Sequence, residues 1–188
     1  MKKWLNFTSV PILAVIILLM FHLYSAESRV KGPSQPIFFS HKIHAGDNEI
    51  PCQYCHSYVE ISTIPGIPSD QKCIGCHLFI IGKDEDYKYD GGSINIKNEI
   101  EKVKGYWDRN EPIPWVKVTF VPDFVHFNHK RHVRREIECK VCHGEVQTMD
   151  VVYQVQKFSM GFCVTCHQEK ARDAQELTML KDCLTCHY

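Results

Sequence analysis

The chain lacks a surplus of charge of either sign, because its 188 residues contain 22 lysines and arginines and 22 aspartates and glutamates. Proteins that bind nucleic acid depend on basic side chains that neutralise phosphates, so a nucleic-acid partner is disfavoured. The sequence also lacks a glycine-rich phosphate loop and any Ser-His-Asp or Cys-His nucleophile arrangement. Function must therefore be sought in what the few specialised residues have in common.

Cysteine is absent outside one recurring motif, Cys-x-x-Cys-His, which occurs five times and contains all ten cysteines. This is the attachment sequence of c-type haem, in which both thiols bond to the haem and the histidine ligates its iron. The sequence therefore predicts five covalently bound c-type haems. In chain order, motifs 1 to 5 are Cys52/Cys55/His56, Cys73/Cys76/His77, Cys139/Cys142/His143, Cys163/Cys166/His167 and Cys183/Cys186/His187.

Three other uses of paired cysteines fit the pattern less well. Zinc ribbons combine two pairs for each metal ion, which would leave one of five pairs over. A disulfide scaffold has varied spacings, because its connectivity follows the fold. A thioredoxin-like redox motif accompanies a βαβ pattern and is found once in a domain.

The ratio of polypeptide to cofactor predicts the fold class. About thirty residues per haem are too few for a conventional apolar core around each site. We therefore expect mainly short α-helices and loops wrapped around five haems, with little β-structure. The haem propionates would make the assembled protein acidic.

The N-terminus has two interpretations, a cleaved secretory signal and an uncleaved membrane anchor. Lys2 and Lys3 precede an apolar stretch, and Tyr24 at position −3 disfavours cleavage after Ala26. Residues 4–24 are long enough to span ~30 Å of hydrocarbon. We expect a single transmembrane helix, with the haem domain on the periplasmic side of a bacterial cytoplasmic membrane.

The chain divides into an anchor at 1–26, a linker at 27–38 and a haem domain at 39–188. An internal repeat relates 39–56 to 127–143, and each copy begins with a phenylalanine and a His-x-x-His pair. A further haem motif follows each copy, so the domain contains two two-haem modules and a terminal haem.

Local patterns predict several elements. Apolar residues from Ile96 to Trp107 recur with the period of a helix, and 90–92 has the composition of a turn. The segments 116–121 and 168–181 are expected to form a short strand and the last helix, respectively.

The histidines outside the motifs are candidates for the second, distal ligand of each iron. His41 and His44 lie in the first repeat, and His129 and His132 in the second. Each pair is expected to serve two neighbouring irons. The fifth distal ligand stays open between a methionine, which raises the haem potential, and a histidine. The candidates are Met160, Met149 and His126.

A series of segments covers nearly the whole chain in order: 39–48, 52–56, 64–68, 115–118, 122–125, 149–152, 159–163 and 183–188. Together with the N-terminal anchor, these segments resemble the membrane-anchored pentahaem cytochrome subunit of bacterial alternative complex III, related to class III-type multihaem cytochromes. His126 stands where an aromatic residue is expected from that family.

The resemblance implies an electron-transfer subunit, itself without catalytic residues, in a membrane-bound quinol-oxidising respiratory complex. Implied partners are a molybdopterin-enzyme-like iron–sulfur subunit, polytopic quinol-binding membrane subunits and a monohaem cytochrome c. Electrons would pass along five haems to or from a periplasmic acceptor. The alternatives are a self-sufficient anchored quinol dehydrogenase that feeds a periplasmic reductase, and an enzyme with one five-coordinate haem.

Overall fold

The computed structural model describes residues 14–20 and 32–188, which fall in two units, Met1–Lys31 and Gly32–Tyr188. In the first unit, residues 14–20 are helical. The remainder of the predicted anchor, 1–13 and 21–26, lies outside the described residues. Among the residues that are described, no helix has the length and apolarity needed to cross a membrane.

The second unit consists of short helices and long loops with one small hairpin. Its first element is a π-helix at Lys42–Asp47, and the two strands, β1 and β2, pair antiparallel with Asp86 opposite Asn95. The α-helices are α1 (Cys52–Cys55), α2 (Asp70–His77), α3 (Ile96–Asp108), α4 (His129–Val133), α5 (Cys139–His143), α6 (Met160–Lys170) and α7 (Ala174–Leu180); β1 is Asp86–Tyr89, β2 is Gly92–Asn95, and 3-10 turns lie at Val146–Thr148 and Cys183–Thr185.

The longest of these helices, α3, confirms the helix predicted from apolar spacing. Asn95 caps its N-terminus by accepting a hydrogen bond from the backbone N–H of Asn98 at 3.1 Å. Ile100 and Val103 are buried, whereas Trp107 at the end of the same face is exposed. The helix thus packs its middle turns against α2, while the Trp107 side chain near its end is in solvent.

A small apolar cluster joins distant segments of the second unit. Ile37, Ile74, Val103 and Ile113 pack together, with Cys73, Tyr106 and Trp115 against them. Ile37 is only 2 % exposed, although it lies in the predicted linker at 27–38. The last residues of that linker are therefore part of the folded unit.

Two secondary-structure predictions are wrong. Residues 116–121 form no strand, because the backbone N–H and C=O of Val116 are bonded to the Gln35 side chain. The expected helix at 168–181 is two helices, since α6 ends at Lys170 and α7 starts again after Asp173. The Asp173 carboxylate caps α7 by accepting from the N–H of Glu176 at 2.7 Å.

The described residues bury few large apolar side chains. Many others are exposed, among them Phe79 at 84 % and Ile64 at 71 %. Folded proteins rarely expose so much apolar surface. The exposed side chains are therefore available to contact a large apolar group. The buried apolar residues are Ile37, Val59, Ile74, Ile100, Val103, Ile113 and Met149.

Glu176 ties α7 to the end of α6 and to the second repeat. Its carboxylate accepts from the N–H and guanidinium of Arg172 and from Arg135. The Arg172 hydrogen bonds, and then the Arg135 charge, hold the pKa of Glu176 at about 2. A carboxyl with a lowered pKa in the folded state stabilises the fold above its ordinary pKa and loses that effect as pH falls towards the folded value.

We therefore expect Glu176→Gln to lower the melting temperature at neutral pH, and the deficit to shrink as pH falls from about 4.5 to about 2. Scanning calorimetry of both proteins at several pH values in this range measures the difference in melting temperature. Glu101→Gln is the matched control, because its exposed pair with Lys104 contributes little. A deficit that is constant with pH would contradict the assigned role.

Candidate haem-binding sites

The five motifs all lie on helical turns. Motif 1 occupies α1 and the residue after it, motif 2 ends α2, and motif 3 forms α5. Motif 4 lies within α6, and motif 5 begins with the 3-10 turn Cys183–Thr185. Because residues i and i+3 share a helix face, the two thiols of each motif project to the same side. All ten cysteines are free thiols.

The ten motif thiols differ in their exposure. Cys76 of motif 2 is exposed, because it follows Ile74 by two residues on α2 and so faces away from the apolar cluster that buries Ile74. Four motif cysteines are exposed, and the other six are half-buried. The exposed ones are Cys52, Cys76, Cys139 and Cys183.

Most of the histidines have one ring nitrogen held by a backbone carbonyl. His44 Nδ1 lies 2.8 Å from Ser40 O, and His132 Nδ1 lies 2.8 Å from Asn128 O. The remaining bonds, at 2.9–3.0 Å, join His56 to Gly66, His77 to Ile80, His129 to Thr63, His167 to Leu180 and His187 to Phe124. A proton fixed on Nδ1 leaves the Nε2 lone pair for a metal.

Three pairs of histidine rings have the separation that one shared iron requires. A metal–imidazole bond of about 2.0 Å plus ~1.1 Å to the ring centre places two opposed rings ~6.2 Å apart. Each ring lies in a plane that includes its own metal–nitrogen bond, so the angle between the two ring planes can take any value. The observed centroid distances are 6.1 Å for His44 and His77, 6.3 Å for His129 and His143, and 6.1 Å for His132 and His167.

His41 lies near His56, the histidine of motif 1. Burial, and then the neighbouring His56 and His44 imidazoles, lower the pKa of His41 to about 4. His41 Nδ1 is buried without a hydrogen-bond partner. A neutral imidazole is the form that ligates a metal, so the environment of His41 suits a ligand better than a charged side chain.

The two histidines of each His-x-x-His pair thus face different motifs. In the first repeat, His41 lies near motif 1 and His44 pairs with motif 2. In the second repeat, His129 pairs with motif 3 and His132 with motif 4. One short helical turn therefore connects two neighbouring sites in each module.

The fifth motif has a different environment. His126 lies beside it, because the His126 N–H donates to Cys186 O at 2.8 Å, but its exposed ring stacks on Tyr188 at 4.3 Å. Met149 is buried next to the first repeat, where its carbonyl accepts from the N–H of Lys42. Met160 begins α6 and is 71 % exposed. The choice among these three stays a prediction.

Neighbouring thiols show which motifs adjoin. At five cysteines burial raises the pKa of the thiol, and a cysteine of another motif raises it further. The cross-motif neighbours are Cys76 for Cys55, Cys55 for Cys73, Cys52 for Cys139, Cys163 and Cys166 for Cys142, and Cys186 for Cys163. The motifs therefore follow each other in space in the order 2, 1, 3, 4, 5.

Hydrogen bonds support this order where the two modules meet. The backbone N–H groups of His129 and Lys130 donate to Thr63 O and Ser62 O at 3.1 Å. The segment after motif 1 thus holds the helix that carries the distal candidates for motifs 3 and 4. The His167 bond to Leu180 O links motif 4 to the segment before motif 5 in the same way.

Sequence reasoning missed the side chains that position the ligand candidates. Phe39 lies edge-on to His41 at 4.9 Å and stacks on His44 at 4.4 Å. Phe127 likewise lies edge-on to His129 at 4.7 Å, and its ring is tilted by 31° against His132 at 4.4 Å. The matched positions of the phenylalanines in the repeat are the feature that could have identified them.

The residues present fit c-type haem. Paired free thiols, seven histidines with Nδ1 held by a carbonyl and three histidine pairs at the separation that one shared iron requires are the chemistry that the cofactor needs. Within the described residues, no three or more His, Cys, Asp or Glu side chains gather as ligands of a single metal ion. The histidines come instead as opposed pairs.

We expect His132→Ala to remove the distal ligand of one iron, which then becomes high-spin and binds carbon monoxide. Absorption spectra of the reduced protein with and without carbon monoxide measure this. Arg131→Ala, on the exposed side of the same helix, is the control and should bind none. Equal spectra for both variants would show that His132 is not a ligand.

Comparison with known proteins agrees with this geometry. Residues 125–188 match the family described as cytochrome c7 and related cytochrome c. The chain is also 29 % identical over 154 residues to the menaquinone reductase multihaem cytochrome c subunit of Nitratidesulfovibrio vulgaris, which covers 71 % of this chain and 67 % of that protein. The chain is thus similar to multihaem cytochromes c, and this similarity implies covalently bound c-type haem.

Proposed function

We propose that the protein is the five-haem electron-transfer subunit of a membrane-bound, quinone-linked respiratory complex. The observation that carries the proposal is the set of opposed histidine rings, 6.1–6.3 Å apart, each with one ring in a Cys-x-x-Cys-His motif. Two histidines on one iron leave no position open for a substrate. Such a site suits electron transfer and does not suit bond chemistry at the iron.

The haem-binding residues follow from the motifs and the pairs. The thiols of motifs 1 to 5 would attach the haems, and the motif histidines would ligate the irons from one side. His41, His44, His129 and His132 would close the other side of the haems at motifs 1, 2, 3 and 4. The haem at motif 5 would take its distal ligand from Met160, Met149 or His126. Bound haem supplies a reversible one-electron couple.

The order of the motifs gives the proposed path. Electrons would move between motif 2 and motif 5 through motifs 1, 3 and 4, because each neighbours the next. The polypeptide's part is to hold the ligands rigid through backbone carbonyls and to cover the haem edges with apolar side chains. Motifs 2 and 5, at the two ends, are the points where redox partners would make contact.

The type of complex and the direction of electron flow are proposed from similarity to other proteins. The resemblance to the alternative complex III subunit supports a quinol-oxidising complex with an iron–sulfur subunit of the molybdopterin-enzyme type, polytopic membrane subunits and a monohaem cytochrome c. The name of the Nitratidesulfovibrio relative, a menaquinone reductase subunit, supports the second candidate, in which electrons flow towards the quinone. For either candidate the haem domain would lie on the periplasmic side of a bacterial cytoplasmic membrane.

We expect mild-detergent purification to recover the chain with five covalent haems and with an iron–sulfur subunit and polytopic membrane proteins. Intact-mass measurement counts the haems, and peptide mass spectrometry identifies the partners. Replacing Cys183 and Cys186 by alanine should remove one haem and retain four. Fewer than five haems on the unmodified chain would contradict the assignment of the motifs.

Rapid mixing of the purified complex with menaquinol or with menaquinone distinguishes the two directions. Reduction of the haems by menaquinol supports quinol oxidation, whereas oxidation of pre-reduced haems by menaquinone supports the reductase. A chain that is purified alone and is still reduced by quinol would favour the self-sufficient dehydrogenase over both.

A further inference from the structure

Ser40, directly before the first His-x-x-His pair, is the most buried polar residue described, at 2 % exposure. Its hydroxyl donates to Asp150 Oδ1 at 2.6 Å. The Tyr87 hydroxyl, from β1, donates to the same oxygen at 2.8 Å. Hydrogen bonds to an ionised carboxylate are shorter and stronger than neutral ones, so Asp150 fixes the position of Ser40 firmly.

Ser40 in turn holds His44. The Ser40 carbonyl accepts the Nδ1 proton of His44 at 2.8 Å, and its hydroxyl oxygen accepts the N–H of Ile43 at 3.1 Å. Ser40 therefore lies between two partners: its hydroxyl contacts the Asp150 carboxylate, and its carbonyl holds the imidazole that faces His77.

The second repeat lacks this carboxylate. Asn128 occupies the position of Ser40, its carbonyl accepts Nδ1 of His132 at 2.8 Å, and its side chain accepts the N–H of Arg131 at 3.3 Å. Within the described residues, no acidic side chain bonds to Asn128. The two repeats thus hold equivalent histidines by the same carbonyl, but only the first has a negative charge behind it.

We propose that Asp150 is a positioning residue that acts through Ser40 to orient and polarise His44 as an iron ligand; this inference rests on the proposed function. A carbonyl that accepts the far N–H of a ligating imidazole fixes the ring and makes it a better electron donor, and a carboxylate that anchors the same residue keeps that carbonyl in place. A better donor and a nearby negative charge both favour the oxidised iron. The haem shared by His44 and His77 therefore has a lower potential than it would have without Asp150.

A purely structural brace is the competing role for Asp150. The segment that contains it presses on the π-helix, since Lys42 N–H donates to Met149 O at 3.0 Å and a side chain at Gly46 would collide with Gln147 O. A brace would affect stability and leave the haem potential unchanged. The potential is therefore the property that separates the two roles.

The experiment is a potentiometric titration of the purified five-haem protein, with electron paramagnetic resonance of the oxidised form as a second readout. We expect Asp150→Asn, which keeps the size and an acceptor oxygen, to shift one haem component to a more positive potential. Ser40→Ala should shift the same component in the same direction. Tyr87→Phe and Asn128→Ala, which leave the Ser40–Asp150 bond intact, should leave that component at its unmodified potential.

Two results would overturn the inference. If Asp150→Asn lowers the melting temperature without any shift of potential, Asp150 is only a brace. If Asp150→Asn shifts the potential but Ser40→Ala does not, the charge acts without Ser40. Failure of the unmodified chain to carry haem at all would instead reject the proposed function, so the two failures are distinguishable.

Discussion

The structure depends on the hydrogen bond between histidine Nδ1 and a backbone carbonyl. An imidazole can ligate iron through Nε2 only when its proton is on the other nitrogen and its ring points the right way. The carbonyls that achieve this belong to loops, such as those of Gly66, Thr63 and Phe124. Because a carbonyl has to be placed to within a few tenths of an ångström, the course of these loops is constrained although they have no regular structure.

The second constraint is the shortage of apolar core. One small cluster around Ile37 and Ile74 is fully packed, while large apolar side chains such as Phe79 are exposed. A chain with so little buried apolar surface gains little free energy on folding by itself. Covalently attached haem would supply the missing apolar surface next to the candidate ligands. Folding of the chain would then depend on haem attachment.

The internal repeat shows how one local solution is used twice and then modified. In both copies a phenylalanine packs against two histidines, and the residue after it accepts the proton of the second one. Among the described residues, only the first copy has an acidic side chain bonded to that residue: Ser40 donates to Asp150, which also accepts from Tyr87. Equivalent contacts with different surroundings would give haems at the two sites different potentials.

Local sequence determined the parts of this protein that depend on spacing alone, whereas contacts between distant residues were decided by the tertiary structure. The five motifs, the two His-x-x-His pairs, α3 and the turn of the hairpin could be predicted, because each is set by residues within a few positions. The helix expected at 168–181 is divided for an equally local reason, the N-terminal cap that Asp173 forms on α7. Tertiary structure alone decided which histidine faces which motif, the order 2, 1, 3, 4, 5 of the motifs in space, and the exposure of Cys76. It also bonded Val116 to Gln35 in place of a strand partner. Periodicity and motif spacing report only on near neighbours, so they could indicate the ligand candidates but not which of them lie together.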